Sequence, residues 1–283
     1  MKIVETIREM QRTADEIRLQ GKKIGVVPTM GYLHEGHLSL IRIAKQHADV
    51  IITTIFVNPT QFAPGEDFEK YPRDLEHDKR LAESAEADIL FIPTTQEMYP
   101  DDYLTFVEVE KLTKVLEGKS RPTHFRGVTT VVAKLLNITK PHAAVFGQKD
   151  AQQAIIIQRM IKDLNFDIEV IVAPLVREND GLAVSSRNVY LSPSERGENA
   201  VLFQSLQLAK QLIKQGERRC TTILAEMTQL INSRPSAHID YVSLADPTTL
   251  QELSTLQDHD TVLVSMAVRI GATRLIDNVV VIV

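Results

Sequence analysis

The sequence has no tryptophan and one cysteine, and only 5% of its 283 residues are aromatic. A single thiol, Cys220, can form no internal disulfide and cannot build a cysteine-rich zinc site. It reads as a small residue packed on a helix. No stretch approaches the roughly 18 consecutive apolar residues of a membrane span, and the apolar run Val50–Ile52 is broken by Thr53 and Thr54. The first twenty residues carry a charge every few positions, so they hold no signal-peptide core, and a cytoplasmic location is expected. Positive charge is short as well: 32 Lys and Arg face 37 Asp and Glu, a net charge of −5. Tracking a nucleic-acid backbone needs the opposite balance, and few aromatics are present to stack on bases. No nucleic-acid or membrane partner is expected. A small basic pocket for a phosphorylated ligand remains compatible with this balance.

What is present is a soluble-type composition, 43% hydrophobic and 24% charged, long enough for about two domains. Ile3, Ile7, Met10 and Ile17 recur near helical spacing, Thr6 and Glu9 can form a capping box, and Gly21 ends that helix. Lys23–Val27 reads as a strand stopped by Pro28, and a helix runs through Leu38, Leu40, Ile41 and Ala44. Asp49–Val57 reads as a buried strand and Asn58–Pro72 as a long proline-containing loop. Further on come a helix over Asp74–Ala87 and strands over Asp88–Ile92 and Thr105–Val109. A loop over Arg121–Gly127 and a helix over Thr129–Thr139 follow. Then come a strand over Ala143–Phe146, a helix over Asp150–Leu164 and a strand over Ile168–Val172. Strands alternating with helices predict an α/β class with a doubly wound, parallel, Rossmann-like sheet. After Pro174 the pattern changes. Two helices, Ser194–Lys214 and Thr221–Ile231, precede strands at Ile239–Leu244, Val262–Val268, Arg274–Ile276 and Val279–Ile282. That is a smaller α+β unit, so the expected domains are 1–175 and 176–283, the second closing over a site on the first.

Four clusters carry chemistry. The string PTMGYLHEGH, Pro28–His37, lies where a predicted strand ends and a helix opens, which is where parallel sheets bind ligands and helix N-termini meet anions. His34 and His37, three apart, share a helix face, and each can donate to a phosphate oxygen. They could equally form a structural cap. The zinc-protease pattern needs histidines four apart, and HEGH is one residue short. Asn58 and Gln61 in FVNPTQF offer amides suited to a small hydroxy acid. Lys149 in GQKDAQQ sits at another strand end with Asp150 able to cap the next helix. Ser185, Ser186 and Arg187 place two hydroxyls and a guanidinium in one loop, a phosphate clamp or a serine turn with a surface arginine.

The His-x-Gly-His string resembles the signature of nucleotidylyltransferases and class I aminoacyl-tRNA synthetases. The strings PTMGYLHEGH, FVNPTQF, YPRD, RPTHFRGV, GQKDAQQ, DGLAVSSRN and RLIDN occur in this order. Together they resemble the pantoate–β-alanine ligase family over essentially the whole chain. The resemblance implies ATP-dependent condensation of pantoate with β-alanine to give pantothenate, AMP and pyrophosphate through a pantoyl adenylate. It implies an ATP site formed by Met30, Gly31, Tyr32, Leu33, His34, Glu35, Gly36 and His37, by Gly147, Gln148, Lys149 and Asp150, by Val176 at adenine, and by Val184, Ser185, Ser186 and Arg187. His37, His34, Lys149 and Arg187 are the implied catalytic set, with His37 resembling the residue usually assigned as proton donor. Gln61 and Gln153, with Asn58, Tyr71 and Arg121, are implied at pantoate and β-alanine. Magnesium is implied as cofactor, with Asp78 the candidate contact, and a homodimer as the assembly. Two positions depart from the family pattern. Gln148 stands where the motif most often reads Glu, and His77, beside Asp78, replaces an acidic residue of some relatives. The rival readings are adenylation of a phosphorylated acceptor and a non-catalytic nucleotide-binding module.

Overall fold

The computed structural model describes residues 1–283. Its first half alternates strand and helix. The elements are β1 Lys2–Val4, α1 Ile7–Leu19, β2 Ile24–Thr29, α2 Glu35–Ala44, β3 Val50–Ile55, α3 Leu75–Ser84, β4 Ile89–Phe91, the short α4 Thr95–Met98 and α5 Glu117–Ser120, α6 His124–Thr139, β5 Ala143–Gly147, α7 Ala151–Asp163 and β6 Glu169–Ala173. The six strands form one parallel sheet in the order β1-β4-β3-β2-β5-β6. Neighbouring strand residues face opposite layers. Val26 and Ile52 pack against α1, α6 and α7, while Val27 and Ile51 pack against α2 and α3. A sheet covered on both faces needs near-continuous apolar strands, and these β-branched runs supply them. The expected doubly wound α/β class is observed.

The remainder holds α8 Pro193–Glu198, α9 Ala200–Lys214, α10 Cys220–Asn232, β7 Ala237–Ala245, β8 Thr261–Ile270 and β9 Thr273–Ile282. The three strands pair antiparallel in the order β7-β8-β9. Val262, Val264, Met266 and Val268, alternating along β8, face α9 and α10 in a second core that also buries Cys220. Leu263 on the opposite face joins the first core, and Ser265 on that face lines the large cavity described below. The small sheet thus turns one face to its own helices and the other toward the large sheet.

Several local expectations change. Residues 2–4 are an edge strand, not the start of a helix: Val4 pairs beside Phe91, and α1 begins only after Thr6, whose side chain accepts from the Glu9 N–H. Pro28 does not end β2. It pairs with Thr54 of β3 and lies beyond the last β2–β5 pair, Val26–Ala144, so its missing N–H falls where those strands have parted. Thr105–Val109 is irregular, because Val107 bonds to the Thr129 and Thr130 side chains of α6 in place of a ladder. Arg121–Gly127 is not all loop: α6 starts at His124 and contains Gly127. A Cβ at Gly127 would lie 2.4 Å from the Thr60 carbonyl oxygen, so this glycine lets the helix touch the turn after β3. The helix expected over Ser194–Lys214 is interrupted at Asn199, and the last two expected strands are one, β9.

Candidate active site

Along the sheet, the chain runs outward from β2 to β3 and β4 in one direction and to β5 and β6 in the other. The switch point is therefore the β2–β5 seam, and ligands of such sheets bind outside the strand ends there. A cavity of about 770 Å³ opens at that place, within the usual range for ligand sites. Met30, His34 and His37 after β2 line it, as do Lys149, Asp150 and Gln153 after β5. Asn58, Gln61, Tyr71 and Arg121 line the side beneath β3 and α6, and Ser185, Ser186 and Arg187 enter from the second half of the chain. Thirteen of the expected side chains are thereby brought together from widely separated strings.

The loop 30–33 is held from below by α3. Gly31 (φ +84°) and Tyr32 (φ +50°) are both left-handed, and a Cβ on Gly31 would meet Asp78 Oδ2 at 2.9 Å. Asp78 accepts hydrogen bonds from the N–H groups of Tyr32 (2.9 Å) and Leu33 (2.6 Å). His77 bonds the Leu33 carbonyl at 3.3 Å. Asp78, the expected magnesium contact, is seen here as a clamp on this loop. It is 2% exposed, both its oxygens are engaged, and it lies outside the large cavity.

His34 is the N-cap of α2, and its N–H donates to His37 Nδ1 at 3.3 Å. The two rings stack with centroids 4.0 Å apart, and Gly36 makes room for the His34 ring. An Nδ1 that accepts leaves the His37 proton on Nε2, where it can be donated. Burial, the His34 ring and the Lys149 ammonium hold His37 well below the ordinary imidazole range. Burial and Lys149 push His34 down to about 4. At neutral pH both rings are uncharged, so His37 is a neutral N–H donor and not an imidazolium acid. His34 Nδ1 is buried without a partner, an unmet polar group at the cavity wall.

On the other side, Asn58 is 1% exposed and fully used. It donates to Gln61 Oε1 (3.2 Å) and the Gly127 carbonyl (3.1 Å), and its own oxygen accepts from Thr60. It aims Gln61, whose amide also reaches the Met30 sulfur at 2.8 Å. Arg121 donates two hydrogen bonds to Glu66 (2.7 and 2.6 Å). Arg187 donates two to Asp67 (2.9 and 3.0 Å). Ser185 accepts from the Arg187 N–H at 3.3 Å, the serine turn that was the alternative reading, and the Ser186 hydroxyl meets the Tyr71 hydroxyl at 3.2 Å. Asp150 does not cap α7, and its carboxylate faces the cavity.

Some expected residues do not reach the cavity. Leu33 is 2% exposed in the core beside Ile41. Glu35 points outward to Arg42. Val176 and Val184 are paired through their backbones at 3.1 Å, so they fix the segment before Ser185 and do not line the cavity. Gly31, Tyr32, Gly36 and Gly147 shape the backbone, and Gln148 turns to Asn278. The sequence reading missed Glu66, Asp67, His124 and Asn278. Two adjacent acids between prolines were a signal, being the natural partners of two loop arginines.

A family model described as "Pantoate-beta-alanine ligase" matches residues 2–280. The chain is 55% identical over 281 residues to a pantothenate synthetase of Heliobacterium modesticaldum, covering 99% of each. It is 54% identical over 279 residues to one of Chloroherpeton thalassium, covering 98% of each. The crystal structure of pantothenate synthetase from Thermus thermophilus superposes with a TM-score of 0.92 at 42% identity, covering 99% of both chains. A pantoate-β-alanine ligase from Francisella tularensis, complexed with β,γ-ATP and β-alanine, gives 0.80 at 35% identity, covering 99% of this chain and 97% of that one. With the site's groups assembled at the sheet's switch point and this similarity spanning both halves, the chain belongs to the pantoate–β-alanine ligase family.

Proposed function

We propose that this ligase condenses pantoate with β-alanine in two steps within the switch-point cavity. In the first, a pantoate carboxylate oxygen attacks the α-phosphorus of ATP, the bond to the bridging oxygen breaks, and pyrophosphate leaves. In the second, the β-alanine amine attacks the acyl carbonyl, AMP leaves with the acyl–oxygen electron pair, and the nitrogen loses a proton. Activation is needed because oxide is a poor leaving group and AMP a good one. The observation that carries this reading is the wall formed by Lys149, His34 and His37. A cation outside any ion pair and a neutral N–H donor stand together at the helix end where phosphates bind. Reactions of this type are driven by positioning and charge stabilisation. In this reading Lys149, His37 and Arg187 meet phosphates, Asp150 the ribose, and Gln61 and Gln153 the pantoate hydroxyls.

ATP and β-alanine as ligands are supported by the Francisella complex. No three His, Cys, Asp or Glu side chains converge on a metal-binding point, so the residues do not fit a protein-built magnesium site. Magnesium would enter with the nucleotide phosphates. We assign 1–175 as the binding domain and 176–283 as the unit that closes over it, supported by the small sheet's cavity-facing side. No helix is long and apolar enough to cross a membrane. A cytoplasmic homodimer is the proposed state, its assembly tested by sedimentation. The reaction is tested by pantoate-dependent exchange of labelled pyrophosphate into ATP without β-alanine. Exchange supports a reversible acyl adenylate. If neither exchange nor AMP appears after β-alanine is added to the folded, magnesium-supplied protein, the assignment fails.

A further inference from the structure

The RLIDN string lies on β9, away from the nucleotide-binding loops in sequence, yet it reaches both loops of the site. Asn278 is 5% exposed, and each of its side-chain groups has a partner. Its Nδ2 donates to the carbonyl oxygens of Gln148 (3.0 Å) and Lys149 (2.9 Å). Its Oδ1 accepts from Gln148 Nε2 at 2.9 Å. Two carbonyl acceptors fix which end of the amide carries nitrogen, so the side chain has one orientation. The preceding residue, Asp277, is 2% exposed and accepts two hydrogen bonds from Arg177 at 2.7 and 2.8 Å. Arg177 also donates to the Gly181 carbonyl at 2.9 Å and so braces the segment that leads into Ser185–Arg187.

We infer that Asn278 is a positioning residue for Lys149, locking the 148–150 turn to β9 so that the ammonium is aimed into the cavity. This rests on the ligase reading above. Three bonds converge on one turn of three residues, and that turn has no side-chain cap of its own. Gln148 becomes explicable in this light. A glutamate at this position would have no donor for Asn278 Oδ1, whereas glutamine completes the pair in this chain. An anion-stabilising group misplaced by an ångström loses much of its effect in the transition state, and Asn278 acts on that placement.

The test is a double-mutant cycle on the full chain, read by pantoate-dependent pyrophosphate exchange. Wild type is measured first, and if it shows no activity the ligase reading itself fails. With wild type active, Asn278→Ala is expected to lower the maximal exchange rate about 10- to 50-fold, with the pantoate KM within about twofold. In a Lys149→Ala background the same change is expected to cost less than about twofold, because the group it aims is gone. Equal losses in both backgrounds, or full activity of Asn278→Ala, overturn the inference. If Asn278→Ala melts below the assay temperature, Asn278→Asp takes its place in the cycle. It keeps the shape, removes both donors to the carbonyls, and is read by the same criterion. Gln148→Met, which spares those two bonds, is expected to cost only about threefold. A loss equal to that of Asn278→Ala would place the effect on Gln148 and remove Asn278 from it.

Discussion

On the switch-point wall, His34, His37 and Lys149 face the cavity without an ion pair, and both imidazoles are neutral. Across from them, Arg121 and Arg187 each donate two hydrogen bonds to a carboxylate of the 62–72 segment. The first wall can meet an anion without rearranging. The second holds its guanidiniums on internal carboxylates, with the Nη1 group of Arg187 outside that pair and still able to meet a ligand oxygen. The difference separates groups that have no internal partner from groups that already have one.

The largest effect should come from the prepared wall. Lys149→Ala and His37→Ala are each expected to lower the exchange rate by about 10²–10³, the usual cost of removing one charge-stabilising donor. Near-wild-type turnover in either variant removes that residue from the mechanism. Next, Asp78→Asn replaces one of two acceptors beneath the 30–33 loop with a donor. A loss of about 1–3 kcal/mol in stability is expected, seen in denaturant titration, with the magnesium dependence of the rate unchanged. A shifted magnesium dependence would restore Asp78 as a metal contact. On the paired wall, Asp67→Asn frees Arg187, and the ATP KM is expected to fall by up to about fivefold, since a partly exposed pair contributes about 0–1 kcal/mol. A rise in KM would mean instead that Asp67 aims Arg187, and the contrast between the walls would collapse.

The smallest effect on rate is the pH response. The maximal rate should show no imidazole ionisation between pH 6 and 7, because burial and Lys149 have moved both rings below that window. Stability behaves differently. Folded His34 and His124 titrate at about 4, and the ordinary imidazole value is 6.5. Between those values the unfolded chain binds more protons, so stability is complete above 6.5 and declines as pH falls toward 4. His124→Asn should flatten that decline in a melting-temperature series from pH 7 to 5.

The clusters after β2 and β5 were legible because strand ends, glycines and histidine spacing are local signals. The parallel sheet followed from alternation alone. Edge strand β1 was not legible, since three residues carry no periodicity and Ile3 happens to fit a helical count. Gly127 looked like a loop marker, because the reason for it is a contact with Thr60, 67 positions away in the chain. The adjacent acids Glu66 and Asp67 signalled that loop arginines could find partners, but which arginine meets which acid was hidden for the same reason. Arg187 reads as a phosphate clamp in its loop sequence, and only the fold brings Asp67 to it, 120 positions away.

The β2–β5 ladder has a mechanical consequence. It contains two residue pairs, Gly25–Ala143 and Val26–Ala144, with His142 and Ile24 bonded below them, whereas β2 and β3 share six pairs. The sheet's shortest seam therefore lies beneath the cavity mouth, and side-chain packing, with Val26 and Ala144 in one core and Val27 and Val145 in the other, holds it together more than backbone bonds do. A nucleotide touching both His37 and Lys149 would span that seam like a brace. Deuterium uptake at the amides bordering the seam should slow when ATP binds, while the β2–β3 ladder keeps its protection.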